Sequence, residues 1–217
     1  KELHFLERFT LRELIIASRN PGKIREFTRM MGEYADDVRV LSLLDFPDLP
    51  DVDETGSTLQ ENARLKATEI AEHTGKACLS DDSGIFIEAL NGNPGVYSAR
   101  WAGSHGDDKA NNAKVLQQIH DLEVNGKVDR SAAFRCVVAF AFPKGHPRGG
   151  EVIFVDGEMR GEIIDTPRGE HGFGYDPLFI PLGFTQTSAE LSAEEKDRIS
   201  HRGQAVRKIL PLISEYL

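Results

Sequence analysis

Two cysteines, one tryptophan and three methionines are all that 217 residues contain of those types. Cys78 and Cys136 lie inside apolar runs. They offer neither a disulfide framework nor zinc-ligand spacing, so they read as buried core thiols. Positive charge is also short: 26 lysines and arginines stand against 35 aspartates and glutamates, a formal net charge of −9. That balance argues against an electrostatic grip on DNA or RNA along an extended face. It still allows a nucleotide whose phosphates are covered by metal ions and a few local cations. No apolar stretch approaches the ~20 residues of a membrane-spanning helix. The opening Lys1–Arg12 is charged and lacks a continuous apolar core, so no signal peptide is expected and a cytoplasmic location is. No repeat, low-complexity tract, linker or Walker phosphate loop is visible.

What is there fits an ordinary globule, with 40% hydrophobic and 28% charged residues. Leu14–Ala17 is a short apolar run that predicts a buried strand, and Lys23–Met31 follows as a helix. Val38–Leu43 predicts a second strand, and the Asp- and Pro-rich residues 45–57 a loop. Thr58-Leu59-Gln60-Glu61 has the capping-box pattern, which predicts a helix to about His73. Ala77–Ser80 and Gly84–Ala89 read as short strands flanking an acidic turn. Asp107–His120 reads as a helix, and Ala132–Phe142, Val152–Val155 and Leu178–Ile180 as strands. Ser192–Glu195 repeats the capping box before a last helix, which Pro211 should kink or end. Early strand–helix alternation and a mid-chain cluster of strands predict a mixed α/β sheet.

Four segments carry candidate chemistry. Ser18-Arg19-Asn20-Pro21-Gly22-Lys23 joins a strand to a helix start, where outward amides, the helix dipole and Lys23 favour an anion. Asp81-Asp82-Ser83-Gly84 sets two carboxylates side by side. They repel, so a cation is expected beside them if both stay ionised. His171-Gly172-Phe173-Gly174-Tyr175-Asp176-Pro177 puts two aromatics and a carboxylate on nearly bare backbone, suited to a flat ligand. Ser200-His201-Arg202-Gly203 lies on the last helix, after Lys196.

In this order the four segments resemble the inosine triphosphate pyrophosphatase family, from about Leu14 to the C-terminus. Residues 14–217 are accordingly expected to form one domain, and residues 1–13 an extension of unknown role. The resemblance implies two α/β lobes on a long twisted mixed sheet with the ligand in the cleft between them. It implies hydrolysis of dITP, ITP and XTP to the monophosphate and pyrophosphate, Mg²⁺ as cofactor, and a homodimer. It makes Asp82 the catalytic carboxylate and, with Glu54, a metal ligand; Asp53 and Glu61 are the local rivals of Glu54. Ser18, Asn20, Pro21, Gly22 and Lys23 become the triphosphate clamp, Lys66 and Ser83 further substrate contacts, and Asp81 a turn-shaping neighbour. Phe173 would stack on the purine, Gly174 and Tyr175 would wall it, and Asp176 would read polar edges or the sugar. Lys196, His201 and Arg202 would recognise a 6-oxo base. His171 departs from the small residues of many relatives and reads as a surface side chain. The alternatives are a pyrophosphatase for other modified nucleotides and a nucleotide sensor without turnover.

Overall fold

The structure is a computed structural model that describes residues 12–32 and 38–216. Most of residues 1–13 lie outside that range. Six strands form one sheet in the order β2-β1-β3-β4-β5-β6. They are β1 (Arg12–Ile16), β2 (Val38–Ser42), β3 (Cys78–Ile87), β4 (Ser131–Ala141), β5 (Val152–Ile163) and β6 (Phe179–Pro181). β1 runs parallel to both β2 and β3, and the remaining neighbours are antiparallel. The expected mixed α/β sheet is therefore present. Five helices accompany it: α1 (Pro21–Gly32), α2 (Leu59–Thr74), α3 (Asp108–Glu123), α4 (Ala193–Ile199) and α5 (His201–Tyr216).

Strand alternation sorts the core. Leu79, Cys136, Val138 and Phe140 face α1 and α5, meeting Phe27, Met31, Val206 and Ile209. Cys78, Ala139 and Ala141 face the other way, onto Ala63, Ala67 and Ile70 of α2. Further along β3 and β4, Ile85, Ile87 and Phe134 pack with Val115, Tyr175 and Phe179 in a second cluster. Both cysteines are free and buried, as expected.

Both capping boxes form. The Thr58 hydroxyl accepts from the Glu61 amide, and Ser192 does the same for Glu195. Three expectations need correction. The acidic segment is not a turn: Asp81, Asp82, Ser83 and Gly84 lie mid-strand in β3, paired with Val138, Val137, Cys136 and Arg135 of β4. Gly84 serves close approach, since a Cβ there would stand 2.1 Å from the Gly95 carbonyl of an overlying 3-10 turn, Gly95–Arg100. β5 runs eight residues beyond Val155, which its glycines make possible: a Cβ on Gly157 would stand 2.0 Å from the His201 carbonyl. The last helix is two, because Ser200 is extended and its hydroxyl accepts the Gly203 amide. Pro211 lies inside α5 and does not end it.

Candidate active site

Because neighbours on a strand point to opposite faces, Asp81 and Asp82 each have a different nearest lysine, Lys23 and Lys66. Asp81 turns toward α1 and α5, between the two apolar clusters on that face. Lys23 Nζ lies 3.0 Å from its Oδ1, and Arg202 Nη2 and Ser83 Oγ donate to its Oδ2 at 3.0 and 2.6 Å. Burial opposes its charge, but Lys23 and Arg202 outweigh burial and hold the carboxyl well below the usual range. Asp82 turns toward α2. Asn62 Nδ2 donates to its Oδ2 at 3.1 Å, and Lys66 Nζ stands 3.3 Å from its Oδ1. Here burial wins over Lys66 and Lys23, and the carboxyl is pushed up. Two adjacent acids are thus driven apart, one locked as an anion and one inclined to take a proton.

Glu54 joins Asp82 through Lys66, whose Nζ lies 2.6 Å from Glu54 Oε1. Arg100, at the end of the 3-10 turn, holds Glu54 Oε2 at 2.9 Å. The loop carrying Glu54 is strapped to the first segment by Arg19, which donates to Leu43 O, Leu49 O and Asp51. Two carboxylates converging on one cation are the oxygen donors Mg²⁺ prefers. That ion usually takes one or two protein carboxylates and completes its shell with phosphate oxygens and water. Among the described residues no group of three acidic, His or Cys side chains forms a protein-only metal cage.

Asn20 caps α1, its Oδ1 accepting the Gly22 and Lys23 amides at 2.8 and 3.1 Å. Pro21 takes the first helical position, where a missing amide costs nothing. The expected attraction of a phosphate to outward amides is corrected accordingly. Two of those amides are engaged, so the pull on an anion falls on Lys23 and the loop's side chains. Ser18 Oγ accepts from the Asn20 amide. Phe173 reaches across to this loop: a Cβ on Gly22 would lie 2.4 Å from its Cδ1. Lys196 Nζ and Arg202 Cζ stand 5.1 and 5.6 Å from the Phe173 ring centre. First segment, acidic strand, aromatic loop and last helices are therefore brought together as expected.

Several side chains within those segments face inward instead. Tyr175 is a core residue whose hydroxyl donates to Ser98 O at 2.8 Å, so its ring does not wall the cleft. Asp176 is buried, accepting from Lys196 and from the Phe173 amide, and it closes its own loop rather than facing a sugar. His201 stacks on Phe134, with centroids 5.0 Å apart and planes at 8°, and burial and Arg202 keep it neutral. Ser83 belongs to the Arg202 network. Gly174 is held through backbone, its amide donating to Asp108 and its carbonyl accepting from Asn112. His171 is exposed, as expected. Sequence reasoning missed Glu26, Asn62 and Arg100. Glu26 pairs with Arg202 and Lys196 in the interior, and those cations overcome burial to hold it down to about 2. Asn62 precedes Lys66 by one helical turn, a spacing that puts both on one face of α2.

Fold and site together define a mixed α/β protein that sets buried carboxylates among lysines and arginines beside an aromatic ring. The chain belongs to the Ham1 family, whose pattern it matches over residues 14–212. It is 49% identical over 197 residues to a dITP/XTP pyrophosphatase of an Exiguobacterium species, covering 91% of this chain and 94% of that one. It is 45% identical over 202 residues to a dITP/XTP pyrophosphatase of Mycobacteroides abscessus, covering 93% and 94%. A solved HAM1 protein from Coxiella burnetii superposes with a TM-score of 0.81 at 38% identity, covering 94% of this chain and 99% of that one.

Proposed function

We propose that this chain hydrolyses non-standard purine nucleoside triphosphates, dITP, ITP and XTP, to the monophosphate and pyrophosphate. The observation that carries the reading is geometric: Glu54 and Asp82 converge on Lys66 at 2.6 and 3.3 Å, with Lys23 3.0 Å from the adjacent Asp81. Asp82 then acts as the base that orients a water and takes its proton for attack on the α-phosphorus. Lys23 and Lys66 bind the phosphate oxygens and offset the charge that grows on the departing pyrophosphate. Phe173 stacks on the base, and Lys196 and Arg202 set the positive potential that favours a 6-oxo purine. Glu54 and Asp82 would hold Mg²⁺. When bound, that ion supplies Lewis-acid polarisation of the phosphate and eases deprotonation of water. The same reading places the enzyme in the cytoplasm as a homodimer that keeps the nucleotide pool clean.

The test is a product assay on ITP, XTP, GTP, ATP and dUTP with Mg²⁺, separating phosphate from pyrophosphate. Pyrophosphate from ITP and XTP, and little from ATP, is expected. In Asp82→Asn, turnover should fall ~10²–10⁴-fold with the melting temperature preserved. Near-normal pyrophosphate release by that variant refutes the role of Asp82.

A further inference from the structure

We propose that Asn62 is a positioning residue that couples the loop bearing Glu54 to the Asp82 carboxylate; this rests on the reading of those two acids given above. Asn62 is wholly buried on α2. Its Oδ1 accepts from the Gly56 amide at 2.8 Å, two residues beyond Glu54, and its Nδ2 donates to Asp82 Oδ2 at 3.1 Å. One side-chain amide thus spans the two pieces of chain that supply the acids. Gly56 permits the approach: a Cβ there would stand 2.6 Å from Asn62 Oδ1. The far end of the same loop is tied by Arg19 to Leu49 O and Asp51. Glu54 is therefore suspended between two anchors, and Asn62 is the one that also reaches Asp82.

Lys66 touches both acids too, at Glu54 Oε1 and Asp82 Oδ1. It does so by charge, with oxygens that a divalent cation would claim. Asn62 engages the other oxygen of Asp82 and carries no charge. It fixes the plane of the carboxylate and leaves Oδ1 directed at Lys66. A partner that orients a ligating carboxylate in this way is worth about 10- to 100-fold in metal affinity or activity.

The experiment compares wild type with Asn62→Ala, Asn62→Asp and Gly56→Ala. Mn²⁺ binding to the protein alone is followed by the electron-spin resonance of the free ion. Steady-state kinetics on ITP run in parallel. In variants with a near-native melting temperature, Mn²⁺ affinity should fall about 10- to 100-fold. The kinetic loss should lie in kcat, with KM little changed. Native Mn²⁺ affinity with native kcat overturns the proposal, and so does a loss carried wholly by KM. If Asn62→Ala does not fold, Gly56→Ala decides, because its methyl presses on the Asn62 side-chain oxygen, and equally on Glu61 Cβ, while leaving the Asn62 side chain present; native Mn²⁺ affinity there overturns the proposal. A wild-type protein that makes no pyrophosphate from ITP sinks the substrate reading instead. The Mn²⁺ titration, which needs no turnover, still judges Asn62.

Discussion

At the scale of single residues, the site is assembled by close approach as much as by charge. Gly22 is the clearest case. It is the second residue of α1 and is buried, so interior helix propensity has little say there. A methyl at Gly22 would press on the Phe173 ring. Gly22→Ala is expected to destabilise the fold by about 1–3 kcal/mol through overpacking. It should raise KM for ITP by roughly 5- to 150-fold, the range set by losing one base–aromatic stack. A native KM would unseat Phe173 as the stacking residue. Which segments meet was legible from the ordered motifs, and Phe173, Lys196 and Arg202 do converge. Which way Tyr175 and His201 turn was not legible. A Gly-Tyr-Asp run reads the same whether its ring faces ligand or core, and only the packing against Ser98 and Phe134 decides.

At the scale of elements, propensity was overridden where tertiary partners were strong. Asp-Asp-Ser-Gly is good turn chemistry, but β4 pairs with every residue of β3 from Cys78 to Ile87 and absorbs it into one strand. The same holds for β5, whose glycines signal breaks in sequence and serve as docking points in space. Gly157 is where α5 lies against the sheet, with the His201 carbonyl and Ala205 amide close above it. Gly157→Ala should force these apart and destabilise the fold by about 1–3 kcal/mol. Urea unfolding is the measurement, and an unchanged midpoint would refute this docking. The capping boxes at Thr58 and Ser192 were legible because their signal is local. The Ser200 break was not, since it depends on a single extended residue.

For the whole molecule, the interior charge network links α1, β3, α4 and α5 through Glu26, Asp81, Lys196 and Arg202. Glu26 and Asp81 hold their protons more weakly folded than unfolded. Their contribution to stability is therefore present above the ordinary carboxylate range of about 4 and is lost as pH falls below it. Asp82, shifted upward, acts with the opposite sign and offsets part of that loss. The urea midpoint is expected to drop between pH 5 and roughly pH 2. A flat midpoint over that interval would contradict the pairing. In this acidic chain Lys23, Lys66, Lys196 and Arg202 are each paired with buried carboxylates: Asp81, Asp82, Glu26 and Asp176.

The Arg202 guanidinium is 2% exposed and contacts Asp81, Ser83 and Glu26. Mobile ions screen charges across water over about 8 Å at physiological strength, but they do not enter a packed interior. This part of the interior is consequently deaf to the surrounding electrolyte. A cell whose potassium content swings would leave this wiring between α1, β3 and α5 as it was.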